Sequence, residues 1–283
     1  MASHIERRKF LATLGGAAAA WPFAARAQQR ERMRRIGVLL NLPSDDPEGM
    51  ARLAAFLQGL QELGWVVGRN VRIDYRWGTG DADRIRGYAA ELVALAPDVI
   101  LSSGTPSVAA LQQATRTVPI VFAQVADPVG AGYVESLARP GRNITGFAAQ
   151  EYVLGAKWLE LLKEIAPHVK RAAVLRDSAL GLGAGQLAAI QAMAPPLGLE
   201  VTPIGVSDIG DIERGITAFA RSSNGGMIVT ASTPAMIHRE LITMLAARHR
   251  LPTVYSFRYF VTSAALSLTG RIQSTPSGVR PAT

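Results

Sequence analysis

The run Ser102-Ser103-Gly104-Thr105-Pro106-Ser107 gathers hydroxyls and free backbone N–H groups where a strand gives way to a helix. Such a helix start suits a carboxylate or another small anion, because its first N–H groups have no partner inside the helix. The same residues also fit an ordinary N-cap, with Thr105 or Ser107 satisfying its own helix. Asp127, directly before Pro128, could pair with a ligand ammonium or cap a turn. Asn41 ends an earlier apolar run, and Arg176-Asp177-Ser178 and Thr230-Ala231-Ser232-Thr233 end two later ones. The candidate ligand-binding residues are therefore Asn41, Ser103, Gly104, Thr105, Ser107, Asp127, Asp177, Ser178, Thr230 and Ser232. Polar strand ends of this kind on two facing domains make a cleft, and a cleft between hinged domains is a binding architecture before it is a catalytic one.

Catalytic inventory is thin. The four histidines stand at 4, 168, 238 and 249, with no HExxH spacing, no Gly-x-Ser-x-Gly elbow and no Walker loop. No catalytic residue, metal site or cofactor is expected, and solvated helix faces account for His238 and His249. Gly181-Leu182-Gly183-Ala184-Gly185 lies between a strand and a helix, the setting of a dinucleotide fingerprint. Its spacing is GxGxG, and Glu200 precedes the next strand instead of ending it, so neither condition of that motif is met. A turn in an exposed rim loop is the expected reading.

The elements that must position these residues are legible as alternating strands and helices. Val99 to Ser103 and Val118 to Ala126 are apolar runs rich in β-branched residues, as parallel strands covered on both faces require. Ligands bind at the carboxyl ends of such strands, which here means Ser103 to Ser107 and Gln124 to Asp127. Strands are predicted at Arg34–Leu40, Val71–Tyr75 and Asn143–Phe147, and helices at Pro47–Leu63, Asp81–Ala96 and, as a short piece, from Tyr133 to the Pro140-Gly141 stop. The pattern then restarts. Helices are expected at Tyr152–Ile165, Gln186–Ala194, Ile209–Arg221 and Ala235–Arg250, and strands at Arg171–Leu175, Val201–Val206, Gly226–Thr230 and Pro252–Tyr255. The fold class is α/β: two Rossmann-like, doubly wound parallel-sheet domains joined by a hinge, with the boundary near Gly146 to Glu151.

The 283 residues carry 48% apolar and 18% charged side chains, a globular composition long enough for two domains. The net charge of +8 falls to +5 once residues 1–27 are set aside with their four basic and one acidic side chains. The last 16 residues hold two more arginines and no acid, leaving +3 for the body. With no basic stripe and no aromatic-interleaved patch, nucleic acid is not an expected partner. The absence of cysteine excludes disulfides, thiolate metal sites, a Cys nucleophile and a lipidated Cys anchor. Arg7-Arg8 before Phe10-Leu11, an apolar run to Phe23 and the Ala25-Arg26-Ala27 cleavage site resemble a twin-arginine signal peptide. That run, broken by Pro22, is shorter than the roughly 20 residues a spanning helix needs. The mature protein is expected to be exported, soluble, periplasmic and without a lipid anchor.

Four long runs are more specific: LQGLQELGWVVGRNVRIDYRW, the stretch from GDADRIRGYAAELVALAPDVILSSGTPSVAALQQ to NITGF, GAKWLELLKEIAP, and HRELITMLAARHRLPTVYSFRYFV. On these, residues from about Arg34 to Leu266 resemble the solute-binding components of ABC transporters, in the type I periplasmic binding proteins that include tryptophan-related substrate-binding proteins. The resemblance implies two lobes, 34–146 and 147–267, closing on a small solute such as an amino acid or a small carboxylate, and delivery to an ABC permease in the inner membrane. It adds Tyr255 to the cleft, with Phe257 as a further stacking surface, and implies a monomer without enzymatic activity. An exported dinucleotide-binding oxidoreductase built on Gly181–Gly185 is the alternative from another class.

One departure stands out. Where relatives of this type follow FRYFV with a SYGPD-like stretch and an RRAA helix, residues 268–283 read LTGRIQSTPSGVRPAT. Back-translated from Leu268 to Pro281 with permitted codons and read from the third nucleotide, that segment yields YGPDPVDPFRRAA. Residues 268–283 are accordingly expected to be an aberrant, frameshifted tail that costs the first domain a covering helix, and a truncated, non-functional product is a further alternative.

Overall fold

A computed structural model describes residues 33–150, 154–177 and 184–262. Two separate sheets form, each wholly parallel. The first has the order β2-β1-β3-β4-β5, from β1 (Arg34–Leu40), β2 (Val71–Trp77), β3 (Val99–Ser103), β4 (Ile120–Ala126) and β5 (Ile144–Gln150). The second has the order β7-β6-β8-β9, from β6 (Arg171–Arg176), β7 (Glu200–Gly205), β8 (Gly225–Val229) and β9 (Thr253–Tyr255). In both, the chain starts beside the middle of the sheet, crosses to one edge and returns to the other, so the strand order reverses once. The fold is α/β with two Rossmann-like lobes, and the carboxyl ends of all the strands point to one rim in each lobe.

Helices fill the crossovers. In the first lobe these are α1 (Pro47–Glu62), α2 (Ala82–Ala94) and α3 (Thr105–Ala114). In the second they are α4 (Leu154–Ile165), α5 (Ala184–Met193), α6 (Ile209–Phe219), α7 (Thr233–Ile237) and α8 (Arg239–Arg248). Aspartates start several of them. Asp46 Oδ1 accepts from the N–H groups of Glu48 and Gly49, Asp81 from Arg84, and Asp208 from Asp211. Each cap satisfies donors that the first helical turn leaves free, a contribution of about 1 kcal/mol.

Packing follows the strand faces. Ile100, Ile120 and Phe122 of the first sheet bury one face against Ile85 and Leu92 of α2 and Val108 and Leu111 of α3. On the opposite face Val38 and Leu40 meet α1 through half-buried Phe56 and Leu60. The second sheet is covered on both sides, by Trp158, Leu159 and Leu162 of α4 and Ile190 of α5 on one, and by Ile212, Ile216, Ile242 and Leu245 on the other.

Two predicted helices differ. The expected helix from Tyr133 is a loop between β4 and β5. Tyr133 and Val134 are both buried in the core of the first lobe. Their backbone N–H groups both turn back to the carbonyl of Pro128, and Ser136 Oγ accepts from the N–H of Arg139. The expected long helix from Ala235 to Arg250 is divided at His238, whose φ of −96° and ψ of 21° leave the helical region. The carbonyl of Met236 there accepts Arg239 Nη1 at 2.9 Å. The signal peptide reading and the tail at 268–283 lie outside the described residues, as do Ser178 and the glycines at 181 and 183.

His238 also carries a testable electrostatic consequence. Burial holds its imidazole below the ordinary value of 6.5, opposed by the nearby Asp208 carboxylate. With the folded pKa depressed, the unfolded chain binds the proton more readily, so the contribution is complete above pH 6.5 and is lost as the pH falls below it. Thermal midpoints followed from neutral into mildly acidic buffer should decline for the wild type and decline less for His238→Gln. Parallel curves would show that the histidine carries no linkage. Asp74 and Asp81, both held below 3.8, come into play only in stronger acid.

Candidate functional site

The strand ends of the two lobes face each other across a cavity. Its first-lobe wall is built from Asn41 at the end of β1, from Gly104, Thr105 and Pro106 at the start of α3, from Gln124 and Ala126 at the end of β4, and from Arg52 on α1. The second lobe contributes Ala231, Ser232, Thr233 and Met236 around α7, and Phe257 beyond β9. Counting what opens to solvent, the empty space amounts to about 410 Å³, and only a small part of it is wide enough for a water molecule. That is room for roughly one or two waters, so an organic solute fits only if the lobes move apart.

Backbone geometry prepares the first-lobe wall. Gly104 caps α3 at φ 83° and ψ 152°, a conformation restricted to glycine, and no side chain caps the helix there. The leading N–H groups of α3 are thus left for whatever enters the cavity. At the end of β4, Gln124 and Asp127 adopt φ values of 57° and 46°. These left-handed residues accompany register shifts between β4 and β5 at Val125 and Ala126.

Polar atoms of opposite character line this space. Arg52 Nε donates to Glu48 Oε1 at 2.9 Å, while its Nη1 is buried with no hydrogen-bond partner among the described residues. Asn41 Nδ2 donates to Thr233 Oγ1 at 2.6 Å, and its Oδ1, also buried, has no partner. The site therefore holds a spare cationic donor, a helix N-terminus and a spare acceptor. Apolar walls adjoin it: Phe257 stacks on Tyr259 with centroids 5.1 Å apart, and Arg52 sits 5.8 Å from the centre of the Tyr259 ring. Burial drives the Tyr259 hydroxyl well above its ordinary pKa, keeping it neutral.

The predicted residues divide in three groups. Asn41, Gly104, Thr105 and Ser232 line the cavity together. Ser103 lies behind them, in a more apolar chamber between α1 and the sheet that Arg52 and Gln124 also line. The others stand away from the cavity wall. Ser107 is fully buried in the first turn of α3. Asp127 Oδ1 accepts from the N–H of Gly130 at 3.0 Å, which caps its own turn. Thr230 Oγ1 donates to the carbonyl of Leu175 at 2.7 Å and ties β8 to β6. Asp177 is buried behind the strand end, and Tyr255 stacks on Phe260 within the second-lobe core, centroids 5.2 Å apart.

Arg52, Thr233 and Met236 are cavity residues that the strand-end rule alone does not single out. Arg52 reads in sequence as the partner of Glu48 four residues earlier, an ordinary helix-surface pair. Among the described residues no group of three or more His, Cys, Asp or Glu side chains could hold a metal ion. No helix among them is long and apolar enough to cross a membrane.

Comparison with known proteins bears on this arrangement. The family model described as ABC transporter substrate binding protein matches residues 41–280. A tyrosine-binding protein of Clostridioides difficile is 27% identical over 242 residues, covering 85% of this chain and 68% of that protein. Among solved structures, a conserved domain protein of Vibrio cholerae superposes with a TM-score of 0.74 at 24% identity, covering 86% of both chains. An ABC domain of Streptococcus pneumoniae in complex with L-Trp also gives 0.74, at 22% identity over 89% of this chain and 88% of that one. At these identities the structural matches establish the fold, that of type I periplasmic binding proteins.

Proposed function

From the premise that this chain belongs to the ABC transporter substrate-binding protein family, we propose that it captures an amino acid between its lobes and delivers it to an inner-membrane permease. It does so as a periplasmic monomer, after export on residues 1–27, and performs no chemistry on the solute. The observation that carries the reading is the convergence of complementary polar atoms on one cleft. The free N–H groups of α3 and the spare Arg52 Nη1 suit a carboxylate, and Asn41 Oδ1 suits an ammonium. Phe257 and Met236 offer an apolar wall to a side chain. A bulky, aromatic amino acid matches that set, as do the tyrosine named for the Clostridioides relative and the tryptophan bound by the pneumococcal one.

Solute entry requires hinge motion, because the closed cavity holds no more than water. The pivot of this reading lies near Gly146, in β5. Residues 34–146 and 147–267 are the two lobes of this reading. Isothermal titration of the mature protein with L-tyrosine, L-tryptophan, aliphatic amino acids and benzoate tests it. A saturable one-to-one isotherm for an amino acid, with the solute recovered unchanged, is the expected result. No binder in the panel, or conversion of one, would overturn the proposal.

A further inference from the structure

The two faces of the first sheet are filled unequally. Toward α2 and α3, Ile100 and Phe122 are fully buried. Toward α1, their strand neighbours Leu101 and Ala123 stay half-buried, because they line a chamber that Leu53 and Phe56 of α1 roof over. Counting what opens to solvent, its empty space amounts to about 700 Å³, and unlike the cleft a large part of it is wide enough for water. Protein interiors leave few voids larger than a water molecule, so a space of this size beside a binding cleft calls for an occupant. Two features say which. Besides Arg52, Ser103 and Gln124, every lining side chain is a hydrocarbon, which excludes a charged or strongly polar occupant. Arg52 and Gln124 line the cleft as well, so the two spaces meet at these residues, and a solute held at the start of α3 can reach into the chamber.

We propose that this chamber is an aromatic-ring subsite, which in amino-acid capture takes the side chain of the solute, and that Ala123 determines how large a ring is admitted. The charged groups of the solute stay in the cleft with the polar partners described above, and its ring passes Arg52 and Gln124 into the first lobe. The cleft wall of Phe257 and Met236 then meets only the near end of the side chain. An apolar cavity of roughly 150 Å³ suffices to take up a benzene ring. Ala123 carries the smallest side chain on the sheet side of the chamber, opposite Ser103 in the strand register, and a larger residue there would occupy the space. The chamber lies within one lobe, so its shape does not depend on how far apart the lobes stand. What the ring is attached to rests on the amino-acid reading; the subsite itself does not.

Calorimetric titration of the full chain with indole and with L-tryptophan tests this. Indole carries the ring without the charged groups and should saturate one site in the wild type. Ala123→Phe, which places a ring of its own in the chamber, should lower the affinity for indole and for L-tryptophan at least tenfold. It should shift the ratio of L-tryptophan to L-alanine affinity as far toward alanine, a change of preference that general damage to the cleft does not produce. Leu53→Trp fills the chamber from α1 and should act alike, so it decides the matter if A123F lacks a cooperative melt. Indole that fails to saturate the wild type would mean that the chamber is filled from elsewhere, and would overturn the subsite. Folded A123F and L53W proteins that bind indole and L-tryptophan like the wild type would overturn it too. A wild type that takes indole and no amino acid overturns the capture reading and leaves the subsite standing.

Discussion

Gly104→Val is expected to abolish solute binding, or to weaken it by at least about tenfold, and to lower the thermal midpoint of the first lobe by several degrees. Gly104 holds φ 83° and ψ 152°, in a region where any side chain costs on the order of 1–3 kcal/mol. Space is absent too. A Cβ there would lie 2.4 Å from both Cγ and Nδ2 of Asn41. Asn41 cannot retreat freely, since its Nδ2 is bonded to Thr233 of the other lobe and the residue is 2% exposed. Relief must come from turning the 103–104 peptide, which redirects the N–H groups of α3, or from giving up the bond between the lobes. Either route damages the anion end of the cleft and its closure together. Gly59→Ala is the matched control: its Cβ would meet nothing within 4 Å, and replacing glycine inside a helix should be neutral or stabilising by about 0.5–1 kcal/mol. Titration and circular dichroism melts of both variants decide the matter, and G104V binding like the wild type would refute the role assigned to this turn.

Most of the framework is legible because each element carries its own local cause. The β-branched runs of β1, β3, β4 and β8 need burial on both faces, and the acidic start expected for the helix at Asp81 is seen in the structure, where Asp81 accepts from the N–H of Arg84. The two helices that differ have causes outside their own residues. Nothing in Tyr133 to Arg139 reveals that two adjacent side chains are both drawn into the core of the first lobe. The break at His238 coincides with the reach of Arg239 to Asp46, a partner 193 residues away.

The site was legible to the same depth. Strand-end topology locates Asn41, Gly104, Thr105 and Ser232, because where a parallel strand stops is a property of the pattern. It does not tell a residue that faces the cleft from one that serves its neighbours. Asp127 binds its own turn and Thr230 its neighbouring strand, each through a local hydrogen bond that composition cannot distinguish from a ligand contact. Arg52 escaped for the converse reason. It sits on the helix face that packs toward the cleft, and its spare nitrogen becomes visible only when Glu48 is seen to take Nε and leave Nη1 unpartnered.

The second large effect is expected from Gly146→Ala, a single added methyl group in β5. An added Cβ would approach the Phe122 carbonyl oxygen to 2.1 Å, its backbone N to 2.7 Å and its Cγ to 2.6 Å. These are contacts with the adjacent strand, at the register point where Phe122 pairs with Gly146. A clash with a side-chain tip can be relieved by a rotamer change, whereas a clash with a paired backbone requires the strands to separate. Ordinary overpacking costs about 1–3 kcal/mol, and this case should lie at or above the upper end. Phe122 is fully buried, so displacing it also loosens its packing against α2 and α3. Because β5 is the edge strand from which the chain passes to the second lobe, lost pairing would soften the pivot as well. The melt of G146A should fall by many degrees, at roughly 2–8 °C for each kcal/mol in a lobe of this size. The origin of the effect is separable. If the ring of Phe122 were the obstacle, Phe122→Leu would rescue G146A; because the nearest atom is the carbonyl oxygen, the double variant should be no more stable than G146A alone. Full rescue would place the constraint in the side chain and not in the strand pairing.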